Sequence, residues 1–152
     1  MARIIVLDSG PLGDACRRRG SPEVEDLRDW LIQADVNGAI VAIPEIADYE
    51  VRRGLILAGA TKGLKRLDEL REDLGHYIPI STDSMLRAAV LWADARRRGI
   101  ATADDKELDA DVILAAQAML FSGLTDRLVV ATYNARHLSQ YINAHHWRDI
   151  KP

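Results

Sequence analysis

Two hydrophobic rhythms alternate along the chain. Arg3 to Leu7 is a short, β-branched apolar run halted at Asp8-Ser9-Gly10-Pro11. That pattern predicts a strand buried on both faces of a parallel sheet. Ser21-Pro22 then open a helix, serine as the cap and proline at the first helical position, where its missing N–H costs nothing. Val24, Leu27, Leu31 and Ala34 form its apolar stripe, and Asn37-Gly38 end it. Ala39 to Ile43 repeats the strand pattern up to Pro44, after which Ile46, Tyr49, Arg53 and Ile56-Leu57 recur at helical spacing. Gly59 to Gly63 reads as a break, and Leu64, Leu67, Leu70 or Arg71, and Leu74 outline a further helix stopped by Gly75.

His76 to Ile80 predicts a weaker strand interrupted by Pro79. Ser81-Thr82 cap a long helix carrying Leu86, Ala89, Val90 and Ala93, closed by Gly99. Thr102 to Leu108 reads as a polar, acid-rich loop, and Asp109 to Leu120 as a helix apolar enough to be buried all round. Leu128 to Ala131 predicts the last clear strand, Ala135 to Ile142 a short helix, and a weak strand is expected near Trp147. Strands alternating with helices predict an α/β three-layer sandwich, a mostly parallel central sheet flanked by helices. With no linker, repeat or low-complexity stretch, residues 1–152 are expected to form a single domain.

Composition adds a few exclusions. The chain is 48% hydrophobic and 28% charged, a balance that supports a packed core and argues against disorder. Cys16 is the one cysteine, so neither an internal disulfide nor a cysteine-rich zinc site is available. No run approaches the roughly 20 apolar residues that span a bilayer, and the opening apolar run is too short for a signal peptide, so a cytoplasmic location is expected. A net charge of −3 does not by itself suggest a nucleic-acid binder. Basic residues are nonetheless clustered at Arg17 to Arg19, Arg52-Arg53, Lys62 to Arg66 and Arg96 to Arg98.

The candidate chemistry comes from where the acids fall. In open parallel sheets the ligand crevice lies beyond the carboxyl ends of the strands. Asp8 ends the first strand, Glu50 lies within two turns of the start of the helix after the second, Asp111 opens the apolar helix, and Asn134 follows the last strand through Thr132-Tyr133. Singly, Asp8, Asp111 and Asn134 have ordinary explanations as a cap, a helix-dipole partner and a turn residue. Glu50 is harder to dismiss, since Tyr49, Val51 and Leu55 imply a partly buried helix where its carboxylate needs a partner, which Arg52 or Arg53 could supply. Together, converging carboxylates repel one another unless a cation sits between them. An all-oxygen set without cysteine or histidine favours Mg²⁺ or Mn²⁺ over zinc.

At these residues the sequence resembles the PIN-domain ribonucleases. Ile-Val-Leu-Asp8-Ser9 is similar to their opening strand and first acid, and Glu45-Ile-Ala-Asp-Tyr-Glu50-Val-Arg-Arg-Gly54 to their second acidic helix. Asp109-Ala-Asp111-Val-Ile-Leu-Ala-Ala-Gln-Ala118 resembles the third signature, and Val129-Val-Ala-Thr132-Tyr-Asn134-Ala-Arg-His137-Leu the closing strand. Within the family the chain looks like the VapC-like toxins of type II toxin–antitoxin pairs. The resemblance implies a PIN-like sandwich and an endoribonuclease dependent on Mg²⁺ or Mn²⁺ that leaves a 3′-hydroxyl and a 5′-phosphate. It also implies a homodimer silenced by a small antitoxin protein that enters the active-site groove. Asp8, Glu50 and Asp111 carry over as metal-binding acids and Asn134 as the fourth position, where many relatives carry an aspartate.

Alternatives stand beside these assignments. Asp109 rivals Asp111, since two residues apart is about 200° around a helix and only one of them can face the crevice. Glu45 is a weaker rival to Glu50, and Asp104 and Asp105 are expected to remain solvated. Arg52 and Arg53 are candidates for the substrate rim, with packing or dimer contacts an equal use of them. The rival functions are a catalytically silent PIN-like module that binds RNA or protein, and a phosphohydrolase with Asp8 as nucleophile. The latter would want a second aspartate where Gly10 stands.

Overall fold

The computed structural model describes residues 2–99, 105–122 and 127–152. Its elements run β1 (Ile4–Leu7), α1 (Ser9–Ala15), α2 (Pro22–Val36), β2 (Ile40–Pro44), α3 (Glu45–Leu57), α4 (Thr61–Leu74) and β3 (Tyr77–Ile78). There follow α5 (Thr82–Arg97), α6 (Asp105–Ser122), β4 (Leu128–Ala131), α7 (Ala135–Leu138), β5 (Ala144–His145) and a 3₁₀ turn at Trp147–Asp149. The strands form one sheet in the order β3-β2-β1-β4-β5, and every pairing is parallel. This is the expected three-layer sandwich, with the sheet parallel throughout.

The first strand made is the central one. Ile4 to Leu7 register against Leu128 to Ala131 on one side, and Ile4 to Val6 against Ile40 to Ala42 on the other. Burial of Ile5, Val6 and Leu7 is complete, as a strand flanked on both edges and both faces requires. Helix α6 crosses β2, β3 and β4 with α5 laid against it, while α1 bridges α2 and α3, and α4 packs on α3. Leu12, Leu27, Leu114, Ala115 and Ala118 join the strands in one continuous core. Among the described residues no helix is long and apolar enough to cross a membrane.

Caps follow local chemistry closely. Ser21 Oγ accepts from the Val24 N–H at 3.2 Å, with Pro22 opening α2. Ser81 and Ser84 cap α5 reciprocally, each side chain bonded to the other's backbone N–H. At Gly75, φ is +69°, a left-handed end to α4 that glycine adopts without strain. The carboxyl-terminal segment is clasped: Trp30 Nε1 donates to the Ile150 carbonyl at 2.8 Å, Asn37 Nδ2 to the Pro152 carbonyl at 2.9 Å, and the Arg3 guanidinium to the Lys151 carbonyl.

Five boundaries depart from the sequence expectation. The Asp8 to Pro11 stretch is the start of a helix, α1, with Asp8 as its cap. Pro11 fits in the first turn, where a backbone N–H would lack a helical partner. Helix α4 begins at Thr61, so Gly63 lies inside it. Helix α6 begins at Asp105, which places Asp109 and Asp111 beyond its first turn; residues 102–104 of the expected loop lie outside the described residues. The third strand shrinks to Tyr77–Ile78, and the last precedes Trp147.

Candidate active site

Asp8 stands where β1 gives way to α1. Its N–H donates to the Ala131 carbonyl at 3.0 Å, the final rung between β1 and β4. Its Oδ1 accepts from the Ser9 N–H at 2.8 Å, and its Oδ2 accepts from the Thr132 hydroxyl at 2.7 Å. Thr132 is fully buried, and its Oγ1 in turn accepts from the Asn134 N–H at 2.8 Å. The carboxyl ends of the two central strands are thus tied through one carboxylate. Desolvation pushes the Asp8 pKa up, outweighing the hydrogen bonds from Thr132 and Ser9 that pull it down.

Glu50 projects from α3, whose first turn is anchored by Gln117. That amide is buried among the apolar side chains of α6; its Oε1 accepts from the Ile46 N–H at 3.2 Å and its Nε2 donates to the Ile78 carbonyl at 2.7 Å. Glu50 shares an open pocket with Ser9, Gly10, Gly13 and Arg53, so the second acid faces the same rim as the residues directly after the first. Arg53 Nη2 lies 3.8 Å from Glu50 Oε2 and its guanidinium stands over the Tyr49 ring at 5.1 Å. Arg52 is committed elsewhere: it grips the buried Asp48 through two bonds of 2.8 and 3.2 Å and reaches Asp68 at 2.8 Å. Glu45 is occupied too, accepting from the Ile80 N–H at 3.1 Å and the Tyr77 hydroxyl at 3.4 Å.

The other two candidates lie on the β4 side. Asp111 is half-buried, while its rival Asp109 is exposed. The Asp111 charge reaches Tyr141, whose hydroxyl pKa is raised first by desolvation and then by that carboxylate. Asn134 precedes α7, with its Nδ2 3.1 Å from His137 Nδ1. Among the described residues no group of three or more His, Cys, Asp or Glu side chains is gathered closely enough to hold a metal ion. What the structure brings together is Asp8, Thr132 and Asn134 by direct bonds, and Glu50 with the Ser9–Gly10 rim by a shared pocket. A larger concavity, ≈ 610 Å³ against ≈ 390 Å³, lies among Arg3, Arg127, Leu128 and Lys151 at the amino ends of β1 and β4. It is at the wrong end of a parallel sheet for a ligand crevice, so geometry favours the smaller pocket.

Two supporting residues lay outside the sequence assignment. Gln117 had a readable signal, being the one polar side chain in the run from Val112 to Ala118, where a buried amide must find partners. Thr132 had a fainter one, a hydroxyl directly after four buried strand residues.

Five parallel strands between helical layers, with acids at their carboxyl ends, define a PIN-like α/β sandwich. Solved structures share that fold over nearly the whole chain. FitAcB from Neisseria gonorrhoeae superposes with a TM-score of 0.69 at 22% identity, covering 96% of this chain and 99% of that one. DNA-bound VapBC from Salmonella typhimurium gives 0.65 at 17% identity, covering 97% and 99%. A toxin–antitoxin complex from Klebsiella pneumoniae gives 0.58 at 21%, covering 96% and 99%. No protein-family model matches the sequence, and no curated protein is similar enough to count as a relative.

Proposed function

We propose that the chain is an endoribonuclease dependent on Mg²⁺ or Mn²⁺, acting in the cytoplasm as the toxin of a toxin–antitoxin pair. The observation that carries the reading is Asp8: a desolvated carboxylate, oriented by Ser9 and Thr132, at the carboxyl end of the central strand. The fold shared with toxin–antitoxin structures supports the same class. The donor chemistry fits a hard cation, since Asp8, Glu50 and Asp111 offer only carboxylate oxygens. These three are the residues we assign to hold the ion, with Asn134 at the fourth position; binding would have to draw them together, since no three acids among the described residues stand close enough as placed. When bound, the ion supplies charge neutralisation at the phosphate and a water of lowered pKa.

The chain's own groups have separable tasks. Thr132 fixes Asp8 Oδ2 so that this carboxylate need not reorganise during the reaction. Glu50, on the open rim, is the group we assign to accept the proton of the attacking water. The water's oxygen bonds to phosphorus as the P–O3′ bond breaks, and the departing oxygen takes a proton from solvent, so the products are a 3′-hydroxyl and a 5′-phosphate. Arg53 offsets the repulsion between RNA phosphates and the acidic pocket; Arg52, held by Asp48 and Asp68, is the weaker rim candidate. Two protein partners belong to the proposal. A second copy of the chain would cover the exposed apolar row of Met85, Leu86 and Val90 on α5. A small antitoxin would enter beside Glu50, where Tyr49, Ile56 and Leu57 are exposed.

The test is thermal and enzymatic. Mn²⁺ should raise the melting temperature of the wild type and leave Asp8→Ala unmoved, because only a native-state ligand stabilises. With Mg²⁺ the purified protein should cleave RNA, and Asp111→Asn should abolish cleavage. Equal Mn²⁺ shifts in both proteins, or cutting that survives EDTA, would overturn the metal site.

A further inference from the structure

An aromatic ring set against Gly10, on the rim of this pocket, is used by none of these roles. Tyr133 lies between Thr132, which holds Asp8, and Asn134, yet it is 47% exposed. It is nevertheless fixed at both ends. Its hydroxyl donates to Asp14 Oδ2 at 2.6 Å and accepts from Trp147 Nε1 at 3.2 Å. Its ring rests on Gly10, where a Cβ would stand only 2.5 Å from Tyr133 Cδ2. His146 approaches at 5.2 Å between ring centroids, tilted by 52°, and itself stacks on Trp147.

We infer that Tyr133 is a stacking platform for one unpaired base of single-stranded RNA, the nucleotide adjoining the phosphate bound over Asp8. The inference rests on the ribonuclease reading and deepens it. A tyrosine needed only for its hydroxyl bonds would gain by being buried; this one is held in place with nearly half of its surface in water, one residue from the hydroxyl that orients Asp8. Rigidity matters because the entropy of ordering the side chain is already met by folding. A neutral π-face also suits a pocket whose acids repel phosphates. Stacking accepts any base but demands an unpaired one, since bases within a duplex have both faces covered by neighbours.

The experiment uses the full chain with Asp8→Asn, which keeps RNA intact, as parent for Tyr133→Phe and Tyr133→Leu. Each is titrated into single-stranded octamers carrying 2-aminopurine at successive positions. The parent and the Phe variant should quench the probe at one position, whereas the Leu variant should lose that quench and bind about tenfold more weakly. In the chain with Asp8 intact, Leu should raise KM by a similar factor with a smaller change in kcat. A purely structural role for the hydroxyl would instead make Phe and Leu alike. Should Leu misfold, 5-iodouridine at the quenched position gives a second readout in the parent, crosslinking to Tyr133. Unchanged quenching in Leu, or crosslinks only to other residues, overturns the platform while Mg²⁺-dependent cleavage leaves the ribonuclease standing. A parent that binds no RNA overturns both.

Discussion

Burial works against the Asp8 carboxylate even with two hydrogen bonds in place. Its folded pKa lies above the ordinary value of 3.8, so the native state keeps the proton to higher pH than the unfolded chain does. The sign follows from linkage: stability contributed by the protonated form is complete below the ordinary pKa and is lost as pH rises through the raised one. In metal-free buffer, Asp8→Asn should therefore melt close to wild type near pH 3.5 and above it at pH 7, as calorimetric scans across that range would show. A difference that does not grow with pH would refute the desolvation argument. Asp48 offers a contrasting acid, only 4% exposed and gripped by Arg52. Removing one partner of a fully buried pair costs roughly 3–5 kcal/mol. Arg52 is 30% exposed, so Arg52→Ala is expected nearer about 2 kcal/mol in urea unfolding, against less than about 0.5 kcal/mol for Asp68→Ala, whose carboxylate is mostly in water.

Between elements, one amide does the joining. Gln117 ties α6 to the start of α3 and to β3, and Gln117→Leu keeps the size while stranding the Ile46 N–H and the Ile78 carbonyl. Unfolding titrations should find it destabilised by about 1–3 kcal/mol, the cost of unsatisfied buried groups. The same scale shows why some elements were legible in the sequence and others were not. Ser21, Pro22 and Ser81 announce their helices because capping is local chemistry. Gly10 and Gly63 misled because glycine as a breaker and glycine as a contact surface look alike along the chain. Gly10 makes room for the Tyr133 ring, and a Cβ at Gly63 would stand 2.7 Å from Leu55 Cδ2, so both sit inside helices that pack closely. The placing of Asp8 and Glu50 at one end of the sheet followed from strand ends and spacing alone. The Thr132 hydroxyl on Asp8 could not, since the pair lie 124 positions apart.

For the whole molecule, the exposed row on α5 separates two states of association. Leu86 is 63% and Val90 65% exposed, one helical turn apart, a costly arrangement for a surface facing only water. Wild type is expected to sediment as a dimer and Leu86→Glu with Val90→Glu as a monomer of unchanged melting behaviour in the monomeric range. A monomeric wild type would remove this face from the assembly. The sheet order has a further consequence, for synthesis. A ribosome delivers the central strand first and its β4 neighbour more than a hundred residues later, so a polypeptide stalled anywhere in between carries Asp8 on a strand with an open edge and no threonine to orient it. Alignment of the carboxylate by Thr132 therefore waits until β4 has been made.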